Sequence, residues 1–351
     1  VADLTKWDVH GPVASLRTES AEWDLPSGYW KPAGHFTVAT FRRDGAIRST
    51  DSYNPDGSVA HSRKIYDESG RLMESHSWMN DDPPHRSLHC YDDAGRHVRT
   101  FAISLDGAER DLESNSYDAE GRRTKVSALS FRTGNVSYSV EGTNMGLGAP
   151  GAVRVVITYD HHDLPVKQVF EDARQNPVRQ VILRRDSAGK LVKVELHLGN
   201  ASMFSMLGEC GQPAQPDQPI SAEADKALTL LMGSFGGIFS ETHYAYDTQG
   251  RLVERTGSMY GLSRDRTTYR YGDGDDPIEE TCEHSDRGAN LAEDGTLQYT
   301  PETVATQQNR FDYRYDEHRN WVERTVSIRP EGNADFQASN ITRRAMTYHS
   351  F

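Results

Sequence analysis

Three histidines and a glutamate stand in strand-like stretches of the chain: His197, Glu241, His243 and His284, with Glu283 beside the last. Imidazole and carboxylate together can give and take a substrate proton, or hold a metal where several rings converge. Tyr138, Phe235, Phe239 and Tyr260 surround them in the reading developed below and could wall a ligand pocket. The spacings match no metal motif, so neither a metal nor any other cofactor is expected. A solvated strand face is the competing reading for the polar residues, and core packing for the aromatics. Asp160-His161-His162-Asp163 places four ionisable groups in a row. Neighbours in a tight turn point in different directions, which suits an exposed hairpin loop better than a site. The phosphate signatures GxGxxG and GKS/T are absent, as are GxSxG and HExxH.

What elements would carry these residues? The chain has 351 residues, of which 36% are hydrophobic and 26% charged. So low an apolar share suits thin, well-solvated sheets better than one thick core. Net charge is -13, without a long run of either sign, and this disfavours a grip on nucleic-acid phosphates. No apolar run approaches the roughly 20 residues of a membrane-spanning helix. Val1 to Trp7 shows neither the basic nor the apolar part of a signal peptide, which leaves location open. Cys90, Cys210 and Cys282 are far apart, so neither a zinc knuckle nor a disulfide framework is indicated.

One motif recurs. Tyr66-Asp67-Glu68-Ser69-Gly70-Arg71 returns as Tyr91-Asp92-Asp93-Ala94-Gly95-Arg96, Tyr117-Asp118-Ala119-Glu120-Gly121-Arg122 and Tyr246-Asp247-Thr248-Gln249-Gly250-Arg251. Asp186 to Lys190 is a looser copy. Tyr315-Asp316 is another, in which Asn320 is expected to take the place of glycine. Between runs rich in Val, Thr, Tyr and Ile, DxxG predicts a hairpin closed by a type I turn, with glycine in the left-handed position and a bulge after it. In that register Tyr246 faces Leu252 and Asp247 faces Arg251. Lys190 to Leu198 alternates as a strand should, with Val192, Val194 and Leu196 on one face. The tyrosines and valines then fall on opposite faces, unless bulges shift the parity.

The motif resembles the YD repeats of the RHS family, in degenerate form from about Tyr53 to Phe351. That resemblance implies an all-β chain whose antiparallel hairpins curl into a shell or barrel-like spiral, and a secreted or cell-envelope home. The large members' self-cleaving segment and toxin have no counterpart here.

Asp67, Asp92 and Asp118 are 25 and 26 residues apart, about two strands and two turns, which puts the Tyr-Asp turns along one sheet edge. The spacing lengthens at about 131–151, 199–240 and 283–299, in the middle of each unit, so these insertions belong to the opposite edge of a single repeat domain. Ser221 is a plausible N-cap for one short helix to about Met232. Long connections on a rigid scaffold are where binding sites gather. The expected function is a β-scaffold that binds a glycan, a protein or an apolar small molecule at that rim. The alternative is a hydrolase or lyase using His197, Glu241, His243 or His284 beneath the second insertion.

Overall fold

The computed structural model describes residues 2–24, 26–104, 106–128, 139–140, 143–144, 152–198, 238–259, 261–291, 297–330 and 334–350. It opens with helix α1 (Ala2–Lys6) and continues in strands: β1 (Val13–Asp24), β2 (Tyr29–Phe41), β3 (Ile47–Tyr53), β4 (Val59–Tyr66), β5 (Leu72–Met79), β6 (His85–Tyr91), β7 (His97–Ile103) and β8 (Glu109–Tyr117). Then follow β9 (Arg123–Ala128), β10 (Ser139–Val140), β11 (Thr143–Asn144), β12 (Arg154–Tyr159), β13 (Pro165–Glu171), β14 (Pro177–Arg185), β15 (Leu191–Leu198) and β16 (Ile238–Tyr246). The last are β17 (Leu252–Met259), β18 (Ser263–Tyr271), β19 (Pro277–Asp286), β20 (Ala289–Leu291), β21 (Leu297–Tyr299), β22 (Thr303–Tyr315), β23 (Trp321–Arg329) and β24 (Gln337–Tyr348). Twenty of them belong to one antiparallel sheet, while β10 with β11 and β20 with β21 form two short separate ladders. The expected class, all-β with antiparallel hairpin repeats, is the one the structure has. The helix expected at 221–232 lies outside the described residues.

Each repeat turn is built by its backbone. The Asp67 amide donates to the Arg71 carbonyl at 2.9 Å, and the Gly70 amide to the Asp67 carbonyl at 3.1 Å. Gly70 sits at φ +81°, where a Cβ is penalised. The Asp67 carboxylate accepts from the Arg71 amide at 2.8 Å and from Arg71 Nε at 2.7 Å. Asp92 with Arg96, Asp118 with Arg122 and Asp247 with Arg251 repeat these side-chain bonds. Tyr246 pairs with Leu252 as expected, and the next pair is Ala245 with Glu254, so one strand carries an extra residue. That bulge settles the parity: Tyr159 and Tyr244 pack on the valine-rich core instead of facing away from it.

One position departs from the sequence reading. Counted from Asp316, the left-handed residue is Arg319 at φ 65°, not Asn320. The Arg319 amide closes the turn on the Asp316 carbonyl at 3.1 Å. Asn320 occupies the arginine position of the motif and is buried, donating to the His10 carbonyl at 2.9 Å and to Tyr348 Oη at 3.0 Å.

The chain divides into two compact units. The first comprises Val1–Arg110, Arg270–Glu280 and Gln307–Phe351. In it β1 is hydrogen-bonded to β2 on one side and β24 on the other, so neither terminal strand presents β1 as an open edge. Its core of Val9, Val13, Leu16, Ala39, Phe41 and Ile47 is covered by Leu4 and Trp7 from the N-terminal segment. That segment is tied down by Trp321 Nε1, which donates to Asp8 Oδ2 at 2.7 Å.

The second unit comprises Asp111–Tyr269 and Thr281–Thr306. Its core joins Val155, Ile157, Phe170, Val181, Leu183, Val194 and Leu196 from alternate positions of β12 to β15. Full burial of each such side chain contributes about 1.5–3 kcal/mol. β9 starts from the Tyr117-Asp118 turn and β15 from the related Arg185-Asp186 turn, and β12 and β16 run toward Tyr-Asp turns, so β9 and β15 end, and β12 and β16 begin, at the opposite edge. The connection after β19 leaves from that edge too, where the Arg287 amide donates to the Leu262 carbonyl at 2.9 Å.

Candidate functional site

At the Tyr-Asp edge four tyrosines join one hairpin to the next. Tyr66 Oη donates to the Ile47 carbonyl at 2.7 Å and Tyr91 Oη to the Leu72 carbonyl at 2.8 Å. In the second unit Tyr159 Oη reaches the Arg123 carbonyl at 2.7 Å, and Tyr246 Oη the Leu191 carbonyl at 3.0 Å. Every acceptor is the first or second residue after the preceding turn's glycine-type corner. The same turn sends a cation over the tyrosine ring: Arg42 over Tyr66, Arg71 over Tyr91, Arg122 over Tyr159 and Lys190 over Tyr246, at 4.7, 5.4, 5.6 and 5.2 Å from the ring centres. Aspartate, arginine and tyrosine of the motif thus form one structural latch.

The candidate polar residues lie elsewhere in the second unit, on β15, β16 and β19. Side chains two apart share a face of a strand. His243 faces Lys193 on β15 and Thr256 on β17, while Glu241 faces Glu195 and Ser258. Two carboxylates directly opposite would repel. Lys193 resolves this by placing Nζ 3.0 Å from Glu195 Oε1 and 2.8 Å from Glu241 Oε2. The Lys193 hydrogen bond holds the Glu241 carboxyl below its ordinary range. Burial pushes Glu195 upward, but Lys193 and Arg184 outweigh it and the net direction is also down. Lys193 in turn is pushed up, first by Glu241. His243 Nε2 is 3.5 Å from Glu241 Oε1, and His197 Nε2 is 3.9 Å from Glu195 Oε2. An open groove of about 460 Å3 runs beside them, lined by Glu241, His243, Glu254, Thr256, Ser258 and Arg264.

His284 is not part of this set. Its Nδ1 is 2.6 Å from Asp265 Oδ1 and its Nε2 2.5 Å from Asp286 Oδ2. Asp265 lies between Arg264 and Arg266 on β18, hence on the reverse face. Glu283, by contrast, meets Arg266 at 3.3 Å, on the face of Glu241. The hydrogen bonds to Asp265 and then Asp286 raise the His284 pKa above its ordinary value. A carboxylate at each ring nitrogen favours the protonated form, which can donate to both and act as a clamp between the two strands.

Phe239 is buried, 3% exposed, and packs into the core with Val194 and Leu196. Tyr138, Phe235 and Tyr260 lie outside the described residues. Among the described residues no group of three or more His, Cys, Asp or Glu side chains is arranged to hold a metal. No helix among them is long and apolar enough to cross a membrane. The residues missed in the sequence are Lys193 and Glu195. Their alternation with Val192, Val194 and Leu196 is visible there, but the strand opposite them is not.

No protein-family model matches the chain, and no curated protein does. Among solved structures, a porin-like protein from Bacteroides uniformis aligns at 7% identity over 95% of this chain and 96% of its own, with a TM-score of 0.36. The TcdB2-TccC3-Cdc42 structure aligns at 14% identity over 94% of this chain and 19% of its own, with a TM-score of 0.26. A putative outer membrane lipoprotein-sorting protein domain from Vibrio parahaemolyticus aligns at 10% identity over 57% and 85%, with a TM-score of 0.16.

Proposed function

We propose that the protein is a β-scaffold of YD-repeat type that binds its ligand, a glycan, a protein or an apolar small molecule, through the long connections of its second unit. One observation carries this reading. The motif side chains are spent on latches at one edge, and the connections following β9, β15 and β19 all leave from the other. A rigid frame whose long connections leave from one edge is a usual arrangement for a binding surface. An acid-base enzyme centred on Glu241 and His243 draws less support. Lys193 keeps Glu241 ionised, which is the wrong direction for a proton donor at neutral pH.

Replacing 199–237 with a short Gly/Ser linker tests the proposal, since the cost of closing a connection changes only slowly with its length. Binding is read on a glycan array, a displayed-peptide library and with the apolar dye 8-anilinonaphthalene-1-sulfonate. The expected result is loss of the intact chain's signal with an unchanged melting midpoint. Full retention of that signal would refute the proposal.

A further inference from the structure

Strand β22 outruns its neighbour on one flank. It lies between β19 and β23. On the β19 flank it is engaged from its first residue: Thr303 Oγ1 donates to the Asp286 carbonyl at 3.2 Å, and Asn309 Nδ2 to Glu280 Oε2 at 3.0 Å. On the other flank the ladder with β23 begins only at Gln308, which faces Arg329. After Arg329 comes Pro330, whose nitrogen has no hydrogen to give, and β23 stops there. Among the described residues nothing pairs with Thr303 to Gln307 on that flank, and all five are exposed, Val304 by 64%. Thr303 to Thr306 belong to the second unit.

An open edge offers the main-chain N–H and C=O of every second residue, and sheets normally guard it with lysine, proline or a bulge. The protein does so elsewhere. In the first unit β2 overhangs β3, which pairs with it only from Phe36, facing Tyr53. That overhang carries Lys31, Pro32 and Gly34, the last at φ 73°, and its register against β1 shifts between Glu19 and Ala21. Thr303-Val304-Ala305-Thr306 carries no charge, no proline and no glycine. Threonine and valine favour strands, and an incoming strand meets neutral side chains here, so a charged one gains no partner opposite it. A second copy of the chain fits poorly. A contact four residues long, about 13 Å, buries far less than the roughly 1,000 Å2 of a specific dimer. A flexible peptide needs only the main-chain bonds and orders itself on them.

We infer that the Thr303 to Thr306 edge of β22 takes up an extended, uncharged peptide segment rich in β-branched residues, which joins the sheet as a further strand. The contact is with main-chain atoms and does not use the 199–237 connection. Fluorescence anisotropy of dansyl-Thr-Val-Thr-Val-Thr amide against the full chain tests it, beside the same peptide N-methylated at two adjacent central residues, which blocks both of its edges. The plain peptide should bind with a Kd of about 1 mM or tighter that is insensitive to salt, and the methylated one about tenfold more weakly or worse. Successive residues turn their N–H groups to opposite flanks, so Ala305→Pro and Thr306→Pro form a pair. One removes a donor from the open edge and should abolish binding with the melting midpoint in place; the other breaks a bond to β19 and should lower the midpoint. Exchange of the edge-facing amides between Thr303 and Thr306 should slow when the peptide is added. The chain with 199–237 replaced should bind unchanged, which separates this edge from the surface proposed above. No binding at millimolar concentration, equal binding of the methylated peptide, undiminished binding in both proline variants, or sedimentation as a dimer that the edge-blocking proline dissolves would each overturn the inference.

Discussion

Tyr66 and Ile47 belong to successive hairpins, and the phenol of the first donates to the carbonyl of the second at 2.7 Å. The ring is capped by Arg42, whose guanidinium carbon lies 4.7 Å from its centre. Tyr66→Phe keeps the capped ring and removes the hydrogen bond, so it should cost about 1 kcal/mol in urea unfolding. Tyr66→Leu loses both and should cost more. Equal stability of the two variants would mean that the hydroxyl contributes nothing.

The corner residues make a paired prediction. Gly250 sits at φ +85°, and a Cβ there would run into Lys190 Nζ. Gly250→Ala should therefore destabilise by about 1 kcal/mol or more, the lysine being free to yield but the backbone not. Arg319 already bears the left-handed penalty at φ 65°. Arg319→Gly should gain about 0.5 kcal/mol, the relief of that strain less the added freedom of the unfolded chain. Melting midpoints moving in opposite directions would verify both.

A pH effect is expected at His284. Hydrogen bonds to Asp265 and Asp286 raise its pKa above the ordinary 6.5. The contribution to stability is complete below that pH and fades as pH rises through the folded-state value. His284→Gln should lower stability on the acid side and flatten the profile between pH 6.5 and the raised value, while leaving the alkaline side little changed. Imidazole proton shifts followed by NMR locate the folded pKa directly, and a value at or below 6.5 would contradict the clamp.

Lys193→Met should uncover a buried conflict. Glu195 is 6% exposed and faces Glu241, and Lys193 bridges the two. Arg184 at 3.4 Å is then the remaining cation on Glu195. A loss of about 2 kcal/mol is expected, below the range for a wholly buried pair because Lys193 is partly solvated. Carboxyl resonances of Glu195 and Glu241 should titrate at higher pH than in the parent chain.

The repeat turns were legible because backbone geometry dictates their chemistry: a left-handed corner calls for glycine, and the residue before the turn's first peptide calls for a carboxylate that can cap it. Asn320 misled because asparagine also tolerates that conformation, so residue type alone could not show which of two neighbours held the corner. Its true role depends on His10, 310 positions away. Packing of the N-terminal segment was invisible for the same reason, since Asp8 meets Trp321 only after the sheet has formed. The separation of His284 from His243 follows from strand parity, but the register between β17 and β18 had to be known before Asp265 could be put on the reverse face. Lys193 carries no signal in the sequence because nothing local announces that Glu241 will be its neighbour.

The pairing of β1 with β24 has a mechanical meaning. Val13 and Tyr348 are partners, so the two ends of the chain emerge side by side from antiparallel neighbours. A load applied between those ends would open that ladder like a zipper, rung after rung, instead of shearing all rungs together. Pulled at Val13 and Tyr348, that seam would yield under weak tension.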